Sequence, residues 1–373
     1  MDEYRICERC VMDSTIPRIV FYDDGTCSYC REYERRQGQE VLPEEERTAA
    51  LSLLVRRIKR AGKGREYDAL IGLSGGLDST YAAYVARSQG LRLLGVHVDN
   101  GWNTKLADKN IRVAADRLGI DLVVEKPSFE QFRDLQLAFL RASVPNAEIP
   151  TDHVIAAVLY QVAHHKGIRY LINGGNFATE GVGLPGSFGH YNRDLRYIRS
   201  IHRHFGTLSL DTLPTIGMFK TVCYRYLRDI RVIRILNYVD YQRELAAKTL
   251  SKEIGWEAYG GKHNESVYTR FFQSYILPNK FGVDKRRMHL SALVCAGQLS
   301  REEVLKEFAK PPYDGPELLE RDMEEVLEKL RITRDEFEEI MQIPVRNARD
   351  FPSNKWLFDL VRWLARRGLR LGE

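Results

Sequence analysis

Short apolar runs alternate with amphipathic segments between residues 67 and 172, and most of these segments end at a glycine or another turn residue. Short apolar runs are typical of buried strands, whereas apolar positions at the helical period are typical of helices. The predicted strands cover residues 67–73, 91–98, 120–125 and 168–172, and the predicted helices cover 80–89, 108–118 and 151–165. This alternation predicts an α/β fold with a doubly wound parallel sheet and helices on both faces.

The segments outside this sheet divide the chain into three predicted domains. Residues 1–40 hold a cysteine-rich unit, residues 41–265 hold the sheet with an insert near 181–234, and residues 266–373 are a helical C-terminal region. Helices are predicted at 300–308, 317–330, 333–341 and 354–371, and capping boxes begin at Ser300 and Thr333. The last helix has an apolar face and many basic residues. It is interpreted as the closing helix of the fold, with docking on an anionic membrane as the alternative.

Composition and charge narrow the class of protein. With 373 residues, 44% hydrophobic and 29% charged, the chain is expected to be globular, with two or three domains. No apolar run approaches the length that crosses a bilayer, so no transmembrane segment and a cytoplasmic location are expected. The net charge of +5 allows an anionic substrate, but it does not require nucleic acid, and none is expected as a partner.

Two C-x-x-C pairs near the N-terminus predict a metal site. Cys7 and Cys10 are followed, after sixteen residues, by Cys27 and Cys30, with a short predicted strand at 19–22 between the pairs. This spacing is typical of a four-cysteine zinc ribbon, and about forty residues cannot bury a sufficient core without such a metal. Disulfides or unrelated thiols are the alternatives. The charged N-terminus has no apolar signal region, which favours Zn²⁺ in a reducing compartment.

The run SGGLDS at residues 74–79 lies between a predicted strand and a predicted helix. Gly75 and Gly76 let the backbone approach an anion closely, and the helix N-terminus adds unpaired N–H groups. Ser74 and Ser79 add hydroxyl donors, and Asp78 is placed to hold a divalent cation. A glycine turn that binds nothing is the alternative. Six consecutive suitable residues in this context favour a phosphate site.

Two further residues follow neighbouring predicted strands. Asp99 ends the second strand, and Gly174 follows the fourth. Because ligands of parallel sheets bind outside the carboxyl ends of the strands, these residues and the 74–79 loop are expected around one crevice. Lys262, in the run GGKHN, could neutralise charge on a leaving group. Taken alone, an aspartate at a strand end is often a turn residue, and such a lysine is often solvated.

The SGGLDS loop, the VDNG run at 98–101 and the GKHN run at 261–264 resemble the ATP pyrophosphatases, among them GMP, asparagine and NAD synthetases. The resemblance implies that ATP is cut to AMP and pyrophosphate while AMP activates an oxygen of the substrate. It implies that Asp78 holds Mg²⁺, and that Ser74, Gly75, Gly76 and Ser79 bind pyrophosphate. Lys262 would stabilise the leaving group, and Asp99 and Gly174 would line the nucleoside pocket.

The ordered motifs from about residue 5 to 310 resemble the N-acetyl sugar amidotransferases of bacterial surface-polysaccharide (O-antigen and LPS) biosynthesis. They run from the cysteine ribbon through SGGLDS, HVDNGWNT, PTDH, INGGNFATEG and GGKHNES to DKRRMHLSALVCAGQLSREEVL. This family implies conversion of an acetamido group on a nucleotide-linked sugar to an acetamidino group. The chain has no glutaminase domain, and neither Cys223 nor Cys295 lies in a nucleophile elbow. A separate glutaminase subunit is therefore expected as a partner. The resemblance implies that this subunit is similar to the histidine-pathway glutaminase and has a cyclase-like companion.

Two other functions share some of these features. A tRNA-thiolation enzyme would have the ribbon and the ATP loop, but it needs paired or clustered cysteines, and only Cys223 and Cys295 remain outside the ribbon. A nucleotide-binding scaffold would keep the glycines without needing Asp78. The insert is interpreted either as a surface for an anionic sugar nucleotide or as a solvated basic face. Its candidate residues are His190, Tyr191, Arg193, Arg196, Tyr197, Arg199, His202, Arg203 and His204.

Overall fold

The centre of the fold is a five-stranded parallel sheet in the order β3-β2-β1-β4-β5. The computed structural model of the protein describes residues 4–183, 188–260 and 264–366. The strands are β1 Ala69–Gly72, β2 Leu93–Val98, β3 Asp121–Glu125, β4 Tyr170–Asn173 and β5 Arg231–Arg234. All four strands predicted from the sequence are present, which confirms the α/β fold class.

Helices precede, connect and follow these strands. In the first part of the chain they are α1 Ser28–Glu40, α2 Glu44–Ala61, α3 Leu77–Ser88, α4 Lys105–Leu118, α5 Phe129–Arg141, α6 Ile149–His165, α7 Phe177–Glu180, α8 Leu195–Phe205 and α9 Met218–Val222. After β5 they are α10 Arg243–Ile254, α11 Val267–Phe271, α12 Leu277–Phe281, α13 Arg286–Cys295, α14 Arg301–Phe308, α15 Pro316–Leu330, α16 Arg334–Gln342 and α17 Lys355–Arg366. Two single π-helical turns, Cys223–Leu227 and Phe272–Ile276, continue α9 and α11, and short 3₁₀ turns occur at Ile235–Tyr238 and Ala348–Asp350.

Helices cover both faces of the sheet. Successive residues of a strand point to opposite faces, and in β1 Leu70 belongs to one apolar core while Ala69 and Ile71 belong to another. The second core contains side chains of α2 and α3, and the first contains side chains of α5 and α6. The sheet is therefore doubly wound, as the alternation of strands and helices predicts.

The fifth strand is a feature that the sequence analysis missed. β5 lies inside the segment interpreted as a substrate insert, and it extends the sheet beside β4. Its residues, Arg-Val-Ile-Arg, do not form an apolar run, because β5 is an edge strand and Val232 remains 45% exposed. Part of the insert is thus a structural element of the sheet.

The N-terminal cysteine unit is built from turns. The strand predicted at 19–22 is a single bridge between Phe21 and Cys27, and a second bridge joins Ile6 and Asp13. The unit packs against the C-terminal helices. The Arg287 guanidinium lies 2.8 Å from the Asp13 carboxylate, with both side chains nearly or fully buried.

The predicted C-terminal helices are present as α14 to α17, and residues 367–371 of the last predicted helix lie outside the described residues. Both predicted capping boxes, at Ser300 and Thr333, are formed. The α17 helix packs through Phe358, whose ring is stacked on Tyr191 at 4.7 Å, whereas Trp356 is 65% exposed. None of the described helices has both the length and the apolar composition that crossing a bilayer requires. The domain bounds 1–40, 41–265 and 266–373 stay a prediction.

Candidate functional site

The loop between β1 and α3 has a backbone that only glycine fits at one position. Gly75 has a φ of +79°, and a Cβ atom there would lie 2.8 Å from the Ala107 carbonyl oxygen. The Gly75 carbonyl accepts hydrogen bonds from Trp256 Nε1 at 2.8 Å and from the Tyr259 hydroxyl at 3.0 Å. The loop conformation is therefore fixed by the two aromatic residues that precede the GGKHN run.

The two serines of the loop hold its ends together. The Ser74 and Ser79 hydroxyl oxygens are 3.0 Å apart, and the Gly76 N–H donates to Ser74 Oγ at 3.2 Å. The Ser79 hydroxyl also donates to the Gly76 carbonyl. These contacts curl the backbone around the N-terminus of α3, where unpaired N–H groups and the positive end of the helix dipole favour an anion.

Asp78 is the second residue of α3, in the first turn of the helix. Its carboxylate accepts a hydrogen bond from the hydroxyl of Tyr241. Burial, together with the negative charge of Asp78, raises the pKa of Tyr241 above its usual range, so the hydroxyl stays protonated and continues to donate. The carboxylate is thereby oriented at the loop where the predicted phosphate site needs a cation ligand.

Gly174, after β4, lies directly against the phosphate loop. A Cβ atom at this position would lie 2.7 Å from both the backbone nitrogen and the Cα of Ser79, and 2.8 Å from the Asp78 carbonyl carbon. Real side chains do not tolerate such distances from a backbone. The glycine is therefore required because two backbone segments meet here, which is a reason internal to the protein.

Asp99 follows β2 at the same edge of the sheet. Its carboxylate accepts a hydrogen bond from the Gly101 N–H at 3.1 Å and lies 3.2 Å from Lys126 Nζ. Partial burial works to raise the pKa of Asp99, but the Gly101 N–H and Lys126 outweigh it and lower that pKa. Asp99 therefore presents a carboxylate at neutral pH.

A buried histidine connects the ends of β1 and β2. His97 Nδ1 lies 2.8 Å from the Leu73 carbonyl oxygen, and its Nε2 lies 2.7 Å from Asn103 Nδ2. The carbonyl can only accept and the amide nitrogen can only donate, so His97 carries its proton on Nδ1. This histidine holds the phosphate loop against the Asp99 turn.

The structure brings the predicted loop, Asp99 and Gly174 to one edge of the sheet, because β1 lies between β2 and β4 and all three strands are parallel. Lys262 lies outside the described residues.

The sequence analysis missed four residues of this region: Tyr241, Trp256, Tyr259 and Glu265. A Cβ atom on Gly76 would lie 3.0 Å from Glu265 Oε1. Trp256 and Tyr259 lie just before the GGKHN run, and this position next to a candidate motif was a signal for these two residues.

The four N-terminal cysteines form one buried cluster. Their Sγ atoms all lie within 4.8 Å of one another, and no cysteine of the cluster is exposed. The Cys7–Cys30 distance is 3.7 Å, and Cys10 and Cys30 each lie 3.8 Å from Cys27. A tetrahedral site with Zn–S bonds of about 2.3 Å places its sulfurs about 3.8 Å apart. The donor set and its spacing fit a structural metal ion.

Hydrogen bonds to the sulfurs support this arrangement. The backbone N–H of Cys10 donates to Cys7 Sγ at 3.5 Å, and that of Met12 donates to Cys10 Sγ at 3.4 Å. Hydrogen bonding among the four thiols lowers the pKa of Cys7 and raises the pKa of Cys10, and the pKa values of Cys27 and Cys30 are also raised. Thiolate is the form that binds metal.

Several candidate residues of the insert have internal structural partners. His202 Nε2 lies 2.7 Å from the Asp134 carboxylate, and the Tyr197 hydroxyl, on a buried ring, donates to Asn146 at 3.1 Å. Arg196, Arg199 and Arg203 are exposed on α8. His202 and Tyr197 therefore serve internal packing, the three arginines face solvent, and the interpretation of the insert as a substrate surface stays a prediction.

The two cysteines outside the cluster lie away from the phosphate loop. Cys223 begins the π-helical turn after α9, and Cys295 ends α13. A hydrogen bond with Cys30 lowers the pKa of Cys295, so this thiol lies next to the four-cysteine cluster. Both are partly buried, and neither lies in a loop at the carboxyl edge of the sheet.

The fold and its site define a doubly wound α/β protein with a glycine-rich loop at a helix N-terminus and a four-cysteine cluster. Residues 265–365 match the family described as LPS biosynthesis protein WbpG-like, C-terminal domain. Among solved structures, the NMN synthetase from Francisella tularensis is similar at 16% identity and a TM-score of 0.31. That similarity covers 54% of this chain and 75% of the synthetase. A search of curated proteins finds no match.

Proposed function

We propose that the protein is an ATP-dependent amidotransferase that converts the acetamido group of a nucleotide-linked N-acetyl sugar into an acetamidino group for a surface polysaccharide. The observation that carries this proposal is the loop at 74–79, which is held at the carboxyl end of the central strand by Gly174 and Tyr241. The match of the C-terminal region to a WbpG-like LPS biosynthesis domain supports the choice of pathway.

The reaction needs ATP because an amide oxygen is a very poor leaving group. The acetamido oxygen attacks the α-phosphorus of ATP, forming an O–P bond and breaking the bond to pyrophosphate. Ammonia then adds to the activated carbon and loses a proton. The C–O bond breaks, AMP leaves with the oxygen, and the amidine remains. The first step depends mainly on positioning and on charge neutralisation.

The residues of the site have distinct proposed roles. Asp78 would hold Mg²⁺ against the phosphates, and the N–H groups and hydroxyls of residues 74–79 would bind pyrophosphate. Asp99 would face the nucleoside. Gly174 would serve the site by allowing its own backbone to support Asp78 and Ser79. Lys262 is proposed to stabilise the departing pyrophosphate, on the strength of its sequence context alone.

Ammonia is proposed to come from a separate glutaminase subunit similar to the histidine-pathway glutaminase, with its cyclase-like companion. Among the described residues, the cysteines outside the N-terminal cluster are Cys223 and Cys295, and neither belongs to a strand-to-helix elbow. Zn²⁺ in the four-cysteine cluster is proposed as structural, and the location as cytoplasmic.

Mass spectrometry tests the reaction. The protein is incubated with ATP, Mg²⁺, ammonium and a panel of nucleotide-linked N-acetyl sugars. A product about one mass unit lighter than its sugar substrate, formed with AMP and pyrophosphate, is expected. If ATP–pyrophosphate exchange instead requires tRNA and no sugar nucleotide changes mass, the protein is a tRNA-modifying ATP pyrophosphatase and the amidotransferase proposal fails.

A further inference from the structure

A cleft of about 550 Å³ lies where three distant parts of the chain meet. Arg18, Tyr29 and Glu32 come from the N-terminal cysteine unit and α1, His190 comes from the segment before α8, and Arg349 comes from the segment before α17. Pockets that bind small molecules have volumes of about 300–1,000 Å³, so the cleft has the size of a ligand site.

The cleft has an excess of positive charge. The side chains of Arg18 and Arg349 form no ion pair or hydrogen bond with any described residue. The other charged lining residues are partly neutralised, since Glu32 pairs with Arg35 at 2.6 Å and Lys355 pairs with Asp359 at 2.6 Å. Two guanidinium groups therefore remain available to one cavity, and their forked donors match phosphate and carboxylate oxygens.

A buried histidine in the wall of the cleft has unused hydrogen-bonding capacity. The side chain of His190 is 1% exposed, and its Nε2 lies 3.1 Å from the Asp194 carboxylate. Its Nδ1 is buried without a hydrogen-bond partner among the described residues. Because Nε2 donates to the Asp194 carboxylate, His190 anchors the wall of the cleft and does not present a donor to it.

The wall that carries His190 is rigidly built. The fully buried Asp194 carboxylate accepts from His190, from the Tyr197 N–H at 3.2 Å and from the Asn354 N–H at 2.8 Å. The His190 ring also packs on the Tyr197 ring, with centroids 4.0 Å apart. One carboxylate thus fixes the insert, the start of α8 and the segment before α17 together.

The cleft is connected to the candidate active site through α1. Tyr29 and Glu32 line the cleft. Tyr33, the next residue of the same helix, packs against Phe177, with ring centroids 4.6 Å apart. Arg36, on the same helix, donates to the Gly181 carbonyl at 2.9 Å. Phe177 begins α7, directly after the loop that carries Gly174. Helix α1 therefore joins the wall of the cleft to the element that follows the Gly174 segment.

We propose that the cleft binds the diphosphate of the nucleotide-linked sugar, with Arg18 and Arg349 on the phosphate oxygens. This proposal rests on the proposed function for the identity of the substrate. A sugar carboxylate would use the same donors, so the experiment must separate the two anions.

Calorimetric titration without ATP tests the site, with UDP, UDP-N-acetylglucosamine, uridine and free glucuronate as probes. UDP and UDP-N-acetylglucosamine are expected to bind, and uridine and glucuronate to bind at least tenfold more weakly. Arg18→Gln and Arg349→Gln should each weaken UDP binding about tenfold, which corresponds to about 1.4 kcal/mol. Arg56→Gln removes the same charge from the exposed face of α2 and should leave binding unchanged. Thermal unfolding checks that each variant is folded.

The outcomes separate this proposal from the proposed function. If the two cleft variants weaken UDP binding but no acetamidino product forms with any sugar, the cleft assignment stands and the amidotransferase fails. If product forms and the KM for the sugar nucleotide is the same in Arg18→Gln, Arg349→Gln and the unchanged protein, the cleft assignment is overturned. Tighter binding of glucuronate than of UDP would also overturn it, in favour of a carboxylate site.

Discussion

The hydroxyl of Tyr241 donates a hydrogen bond to the carboxylate of Asp78, which links the segment before α10 to the first turn of α3. Tyr241 is buried, and the centroid of its ring lies 5.7 Å from that of Tyr81, which belongs to α3. The hydrogen bond ties one carboxylate oxygen to a buried ring and so restricts the rotation of the Asp78 side chain. Tyr241 is therefore a positioning residue for the proposed Mg²⁺ ligand.

Asp78→Ala should abolish the formation of AMP and pyrophosphate while leaving the fold intact, because the carboxylate serves the cation at the start of a helix. Tyr241→Phe should lower kcat about tenfold and raise the Mg²⁺ concentration needed for half-maximal rate, since it loosens the same carboxylate. Rates are measured by pyrophosphate release over a Mg²⁺ series. Near-normal turnover in Asp78→Ala would show that the phosphate-site assignment is wrong.

Gly174→Ala should strongly reduce ATP-dependent activity, because the added methyl group would displace the backbone of Asp78 and Ser79. The matched control is Gly183→Ala, since a Cβ atom at Gly183 meets nothing within 4 Å. ATP affinity and pyrophosphate release are compared in the two variants. Equal activity would mean that the segment after β4 does not support the phosphate loop.

The sequence was sufficient to predict the central sheet and the convergence of the 74–79 loop, Asp99 and Gly174. Strand runs buried on both faces are apolar, and parallel connectivity places their carboxyl ends together. The edge strand β5 was missed because Arg231 and Arg234 flank only two apolar residues, which is too short for an apolar run. The partners Tyr241 and Trp256 were missed because they reach the loop from positions more than 160 residues along the chain.

Cys27→Ser should lose a bound metal ion and destabilise the N-terminal unit, because the four sulfurs replace an apolar core there. The purified protein should contain one Zn²⁺ per chain, measured by elemental analysis. Cys223→Ser is the control, since this thiol lies outside the cluster, and it should retain the metal. Unchanged stability and full activity after complete chelation would contradict a structural metal.

Protonation of His153 should lower the free energy of unfolding in mild acid. The ring is buried, with Nδ1 donating to the Asn192 carbonyl at 2.7 Å and Nε2 accepting from the Ile216 N–H at 3.3 Å. Burial lowers the pKa of His153 from 6.5 to about 4. The unfolded chain therefore binds a proton that the folded chain does not. Stability is fully present above pH 6.5 and falls as the pH is lowered towards 4, by up to about 3 kcal/mol.

His153→Gln should flatten this pH dependence, although it also lowers stability at neutral pH through its two lost contacts. His165→Gln changes an exposed histidine at the end of α6 and should keep the profile of the unchanged protein. Urea unfolding midpoints are measured between pH 7 and pH 4. A His153→Gln profile that stays parallel to that of the unchanged protein would assign the acid sensitivity to other groups.

The source of ammonia separates this chain from synthetases that contain their own glutaminase. Cys7, Cys10, Cys27 and Cys30 are committed to one buried cluster, Cys295 adjoins that cluster, and Cys223 lies in a π-helical turn. Since none of these cysteines is placed as a glutaminase nucleophile, the isolated chain should use free ammonium but not glutamine. Glutamine-dependent product should appear only when a separate glutaminase is added, and alkylating the cysteine of that subunit should abolish it while ammonium-dependent activity persists. Product and glutamate are quantified side by side, with Cys223→Ser as the control for adventitious hydrolysis. Glutamine hydrolysis by this chain alone, at a rate that matches synthesis, would contradict the two-subunit arrangement.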